Sequence, residues 1–217
     1  PRFVDAHVHL DKAFTWQDHP NLLGTYEGAL KANLVEHQSR STELVLSRGE
    51  RALQQAFGCG LRAVRSHIDS GGPGAESSWE ALQVLQRRWR GRVGLQLVAL
   101  APLAFWMSAE AELMAERLSK CGGLLGGVLD PSMRGPAVDQ QLKALLRLAD
   151  RHGLAVDLHI DEADHAPAQG VKQLLRALQI SPVAVPITCS HASSLALLPQ
   201  AALQRLGAVS YTHLRAH

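Results

Sequence analysis

A chain of 217 residues with 46% hydrophobic and 19% charged residues can bury one sizeable core, and its formal net charge of +2, from scattered basic residues, excludes a dedicated nucleic-acid surface. It contains no apolar run of membrane-spanning length, and neither a membrane span nor a signal peptide is expected in it. Three cysteines, Cys59, Cys121 and Cys189, are too few and too irregularly spaced for a disulfide framework, so a reducing, cytoplasmic setting is expected.

The first predicted element is the strand "FVDAHVHL", which starts at Phe3. Val4, Ala6, Val8 and Leu10 alternate with Asp5, His7 and His9, which places the two imidazoles on one face of the strand. If that face is buried, the pair is costly unless something binds it, and a metal ion is the economical candidate. The other reading is an exposed face with two ordinary polar residues, and spacing alone leaves both open.

Further apolar runs follow at intervals of roughly 30 residues, the size of one strand-helix unit. They are "LRAVRSHI", "VGLQLVAL", "LLGGVL", "LAVDLHI" and "VAVPITC". Between them lie amphipathic helices. One is predicted to start at Ser77, with Ser77 and Glu80 as a capping box and Trp79, Leu82, Leu85 and Trp89 on one face. It ends in "QRRWRGR", where cations favour the helix dipole. Another ends at "DRHG", with Gly153 as its C-cap.

Strand-helix alternation predicts a parallel sheet with helices outside it, and continuous apolar strands suit a sheet covered on both faces. An open nucleotide-binding sheet would carry a glycine-rich phosphate loop after its first strand, but this chain reads "DKAFTWQDHP" there. The glycines of "SGGPG", residues 70–74, lack the dinucleotide order and read as a flexible loop. A closed barrel instead gathers functional side chains at the C-terminal ends of its strands. His7 and His9 follow the first run, His67 and Asp69 the second, His159, Asp161 and Glu162 the fifth, and His191 the sixth. His19, His37 and His152 fall on loops or helix ends and read as structural.

The "HVHLDK" of strand one, the His159-x-x-Glu162 pattern of strand five and the "SHASS" of strand six resemble the amidohydrolase superfamily, in particular its cytosine deaminase-like branch. The resemblance covers residues 1 to about 209. It implies a (β/α)8 TIM-type barrel hydrolase, here apparently truncated, using one divalent ion, zinc or ferrous iron. His7, His9 and His159 match three of the family's metal ligands, Glu162 its acid/base glutamate, and His191 the histidine that contacts the attacking water or the substrate. The expected reaction is hydrolytic deamination of a small amino-substituted heterocycle, cytosine-like. The fourth run contains no lysine that could bridge two metals, which favours a single-metal site.

Substrate contacts are expected from His67 and Asp69 and from Leu100 and Pro102 at the third strand exit. Where cytosine deaminases carry a glutamine after strand three, Pro102 offers no amide, which argues for a different ring. "HLDKAFT" also resembles relatives acting on N-substituted aminotriazines and cyclic compounds, so cleavage of such an amine or of a cyclic amide is the alternative reaction.

Six strands and the start of a seventh at "LGAVS" are expected, whereas a complete barrel has eight. The missing strand eight would carry the last metal ligand, so a non-catalytic barrel fragment is a further alternative. Residues 1–209 read as the partial barrel and 210–217, "SYTHLRAH", as a non-native tail whose His213 and His217 only imitate a metal pair. An upstream part is expected to be missing too. A homo-oligomer is compatible with all of these readings.

Overall fold

The computed structural model describes the backbone of residues 3–213 and the side chains of residues 3–208. Six strands lie in chain order in one sheet, β1(Phe3–Val8), β2(Leu61–Asp69), β3(Gly94–Pro102), β4(Leu124–Leu129), β5(Val156–Ile160) and β6(Ile187–His191). The helices are α1(Tyr26–Gln38), α2(Thr42–Gly58), α3(Ala75–Arg88), α4(Glu110–Cys121), α5(Pro136–His152), α6(Gln169–Ile180) and α7(Gln200–His213). Two compact units divide the chain, Pro1–Val98 and Ala99–His217, with the boundary inside β3. Among the described residues no helix is long and apolar enough to cross a membrane.

In the first unit β1 pairs parallel with β2, with Phe3 opposite Leu61 and Val8 opposite Ser66. The α3 face predicted from the sequence is buried as expected, with Trp79, Leu82 and Leu85 sealed from water and Trp89 at the C-cap. Its start differs. Gly74 is the N-cap, so Ser77 and Glu80 lie inside the helix and form no capping box. Nor is the "SGGPG" segment loose: Gly71 O is bonded by His37 Nε2 at 2.8 Å, and a Cβ on Gly74 would sit 2.7 Å from His37 O. Glycine is needed there because two backbones nearly touch.

A buried ionic cluster, which the sequence did not announce, ties this unit together. Arg40, between α1 and α2, is sealed from solvent and donates to Asp11 at 3.0 Å, to Ser78 at 3.2 Å, and to Glu36, Asn33 and Asp69. Arg48 reaches Glu36 at 2.7 Å and also binds the Asp11 carbonyl, while Lys12 holds Asp69 at 3.0 Å. Three carboxylates thus face three cations, which is the condition under which charges are tolerated inside a protein. Burial acts to raise the Glu36 carboxyl, but bonds from Arg40 and Arg48 outweigh it and hold the group below the ordinary glutamate range.

In the second unit β4 and β6 flank β5 in parallel, with Val128 opposite His159 and Ile160 opposite His191. β6 begins only at Ile187, because Pro182 and Pro186 bracket "VAV" and a proline nitrogen cannot donate to a ladder. α5 ends as predicted at Gly153, which has φ +63°. The run "LGAVS", expected to open a seventh strand, continues α7 instead. The good helix formers of "QAALQRL" precede it, and one interior glycine costs about 1 kcal/mol, too little to end the helix. Of the expected tail 210–217, the side chains, including those of His213 and His217, lie outside the described residues.

Removing the Arg40 guanidinium leaves buried carboxylates uncompensated, so Arg40→Ala should lower unfolding free energy by roughly 3–5 kcal/mol in urea titration. Because the folded-state pKa of Glu36 is depressed, its contribution is complete above the unfolded glutamate pKa and is lost as pH falls through the lower folded value. Glu36→Gln should therefore flatten the acid limb of the stability profile, and an unchanged limb would show that Glu36 is not its source.

Candidate active site

In the first unit His7 lies near the end of β1, His9 just beyond it at the entry to a 3-10 turn, Leu10–Lys12, and His67 on β2. The strand therefore stops between the two histidines that alternation placed on it. Their rings still meet, 5.3 Å apart between centroids, and His67 lies 4.1 Å from His7 and 5.5 Å from His9. His67 is buried, and the other two are half-buried. The turn is pinned from below: Leu10 N donates to Ser66 Oγ at 3.0 Å, and Asp69 N donates to the Asp11 carboxylate at 2.9 Å.

Asp11 and Asp69 share the ionic cluster but titrate apart. Burial and the Asp69 charge push the Asp11 carboxyl up to about 6 despite Lys12 and Arg40. Burial also acts upward on Asp69, but Lys12 and Arg40, with a bond from Asn33, hold it well below the usual carboxylate range. Asp69 is thus an anion already surrounded by donors.

In the second unit His159 is buried on β5, and its ring centroid lies 4.9 Å from that of His191, the last residue of β6. His191 and Ala192 have φ of +67° and +51°, left-handed values that side chains other than glycine rarely adopt. Glu162, exposed, reaches His191 with Oε2 at 3.7 Å from Nε2. Its neighbours are otherwise engaged. Asp161 is buried and accepts from Gly170 N at 2.8 Å and Val171 N at 2.9 Å, capping the first turn of α6, and Asp164 is exposed beside His165. A Cβ on Gly170 would lie 2.8 Å from Ile160 and 3.1 Å from the Asp161 carboxylate, so this cap needs glycine. Below the strand ends, Ser190 Oγ donates to Asp157 at 2.6 Å, and burial with the charges of Asp157 and Asp161 pushes the Cys189 thiol up to about 12. Leu100 is half-buried and Pro102 exposed at the exit of β3.

The structure brings His7, His9 and His67 together in one unit, and His159, His191 and Glu162 together in the other. Sequence reasoning missed Arg40, Glu36, Asn33 and the Asp157–Ser190 pair. Only Asp11, two residues past His9 in "HLDK", carried a local signal. His37 and His152 are structural as expected, the first bonded to Gly71 O and the second 2.6 Å from Glu112. Chemically, clustered imidazoles suit zinc or iron, and a carboxylate beside an imidazole can relay a proton.

No protein-family model matches the chain. It is 34% identical over 198 residues to a pterin deaminase of Rhizobium rhizogenes (strain K84 / ATCC BAA-868), covering 90% of this chain and 45% of that protein. To the N-isopropylammelide isopropyl amidohydrolase of Pseudomonas sp. (strain ADP) it is 25% identical over 198 residues, covering 88% and 49%. The chain thus spans about half the length of the curated relatives it matches. The crystal structure of 5-methylcytosine deaminase from Klebsiella pneumoniae liganded with 5-fluorocytosine superposes with a TM-score of 0.80 at 23% identity, over 96% of this chain and 51% of that one. N-isopropylammelide isopropylaminohydrolase from Burkholderia multivorans gives 0.73 at 22% identity, over 98% and 54%. The fold is that of these TIM-barrel hydrolases, as the family resemblance in the sequence implied. These relatives are members of the amidohydrolase superfamily, in its cytosine deaminase-like branch.

Proposed function

We propose that this chain carries the catalytic residues of a hydrolytic deaminase that replaces an exocyclic amino group on a small heterocycle with oxygen and releases ammonia. The observation that carries the reading is the pairing of Glu162 with His191, 3.7 Å apart, just past the buried His159. His7, His9 and His159 are proposed to hold one divalent ion, zinc or ferrous iron. The donor chemistry fits, since His7, His9 and His159 all offer imidazole nitrogens, which suit both metals. A divalent ion held by neutral imidazoles supplies Lewis acidity that brings the pKa of water toward neutrality.

Water adds to the ring carbon bearing the amino group, and Glu162 takes the proton that this water loses. Glu162 passes that proton to the ring nitrogen, then takes the remaining proton from the added hydroxyl and delivers it to the departing amine, so the carbon–nitrogen bond breaks as the ring carbonyl forms and ammonia leaves. His191, beside Glu162, donates to the oxygen on which charge develops. His67, Leu100 and Pro102 are proposed to face the substrate. Asp69, already holding Lys12, Asn33 and Arg40, is proposed to act on it through Lys12.

Pro102 cannot supply the amide that a cytosine site uses, and the relative at 34% identity is a pterin deaminase, so a pterin is the first ring to test. Cleavage of an N-alkyl amine is the second reading, supported by the N-isopropylammelide relative at 25% identity. The first releases ammonia and the second an alkylamine. A cytoplasmic setting accompanies the proposal, in keeping with cysteines too few and too irregularly spaced for a disulfide framework.

His7→Ala, His9→Ala or His159→Ala should strip most of the zinc retained through gel filtration, and His152→Ala should not. Equal metal content in every variant would sink the ligand assignment.

Glu162→Gln should leave metal content and folding unchanged and lower kcat by about 10²- to 10⁴-fold. Asp161→Asn should instead lower the melting temperature, because it weakens the α6 cap. If Glu162→Gln turned over normally while Asp164→Asn did not, the proton carrier would be Asp164.

A further inference from the structure

Helix α1 is turned inside out. Its inward face is polar, with Glu36 and His37 buried and Asn33 half-buried, because that face meets the Arg40 cluster and the Gly71 carbonyl. Its exposed face is apolar: Tyr26, Leu30 and Leu34 follow at four-residue steps and are 55%, 47% and 56% exposed. Leu22 and Leu23, four and three residues before the helix, are also exposed, at 84% and 77%. Contiguous exposed apolar surface on a helix that buries its polar side marks an interaction surface.

The charges along this strip indicate the partner. Glu27 and Lys31 are the exposed charged residues of the helix, and both flank the Tyr26–Leu30–Leu34 line on the same side at about 3.6 residues per turn. A lipid surface would ask for a row of lysines or arginines on the flank, and an acid followed by a base does not provide one. The same order is self-complementary. When two such helices run antiparallel about a two-fold axis at Leu30, each Glu27 lies about 3 Å along the axis from the Lys31 of the other copy. A parallel two-fold pair would put the two Glu27–Lys31 flanks on opposite sides of the interface, where they do not meet.

We propose that the Tyr26–Leu30–Leu34 face of α1 joins two copies of this chain, antiparallel about a two-fold axis at Leu30, with Glu27 of each copy opposite Lys31 of the other. The inference is independent of the proposed reaction, since none of these residues belongs to the catalytic set.

Sedimentation equilibrium of the whole chain and its variants over a concentration series tests it, with far-UV circular dichroism confirming that each is folded. The wild type should form a dimer, and Leu30→Glu should be monomeric. Glu27→Lys alone and Lys31→Glu alone should each weaken association by about tenfold, since like charges then oppose. The double variant Glu27→Lys/Lys31→Glu should return to the wild-type affinity, a rescue that only the antiparallel register predicts. A monomeric wild type, or a dimer indifferent to these changes, would overturn the proposal. So would a monomer that co-sediments with phosphatidylcholine vesicles, which would assign the face to lipid.

Discussion

A single guanidinium, sealed from water, holds the first unit in register. Arg40 reaches the turn after β1 through Asp11, the end of β2 through Asp69, α1 through Glu36 and Asn33, and α3 through Ser78. Its planar fork and permanent charge suit this role in a way lysine would not. Because Asp11 follows His9 by two residues, the bonds that fix the cluster also fix the turn from which His9 projects. The polar inner face of α1 has the same cause. A helix that must satisfy a buried charge cluster turns its polar residues inward, and its leucines are left outside.

The second unit uses a different device. Asp161 follows the histidine of β5 by two residues and binds the first turn of α6, so the segment that carries Glu162 is anchored by the residue next to it. Two adjacent carboxylates are separated in function by environment: one is buried and fully bonded to backbone, and the other is exposed beside an imidazole. The glycine at position 170 makes that anchoring sterically possible.

Much of this was legible in the sequence. Strand-helix alternation, the helix face of Trp79, Leu82 and Leu85, the C-cap at Gly153 and the histidines at strand exits follow from period and local chemistry, which act over a few residues. One error fell where a longer-range constraint prevailed, and two where a competing local preference did. α3 starts at Gly74 because of packing against His37, not because of a serine cap. β6 is shortened by prolines, and helix propensity carries α7 through the glycine expected in a strand. Arg40 was invisible because nothing in "QSRSTE" distinguishes a buried arginine from a solvated one. Its partners lie up to 38 residues away, as Ser78 does, and only the fold brings them into reach. The histidine clusters were anticipated in composition, whereas the bonds that orient the turns around them were not.

The left-handed residues of the second unit carry a consequence for its design. Among the described residues, positive φ occurs outside glycine at six positions, and Asp161, Ala166, Ala168, His191 and Ala192 all lie in segments following or ending β5 and β6. Each such residue costs on the order of 1 kcal/mol, so these exits hold tension that the strands beneath must absorb. A natural or laboratory lineage under selection for heat resistance would find relief there, by glycine at the alanines. The same relief would slacken the frame around Glu162 and His191. Thermal robustness and the close approach of Glu162 to His191 therefore compete for the same few peptide units.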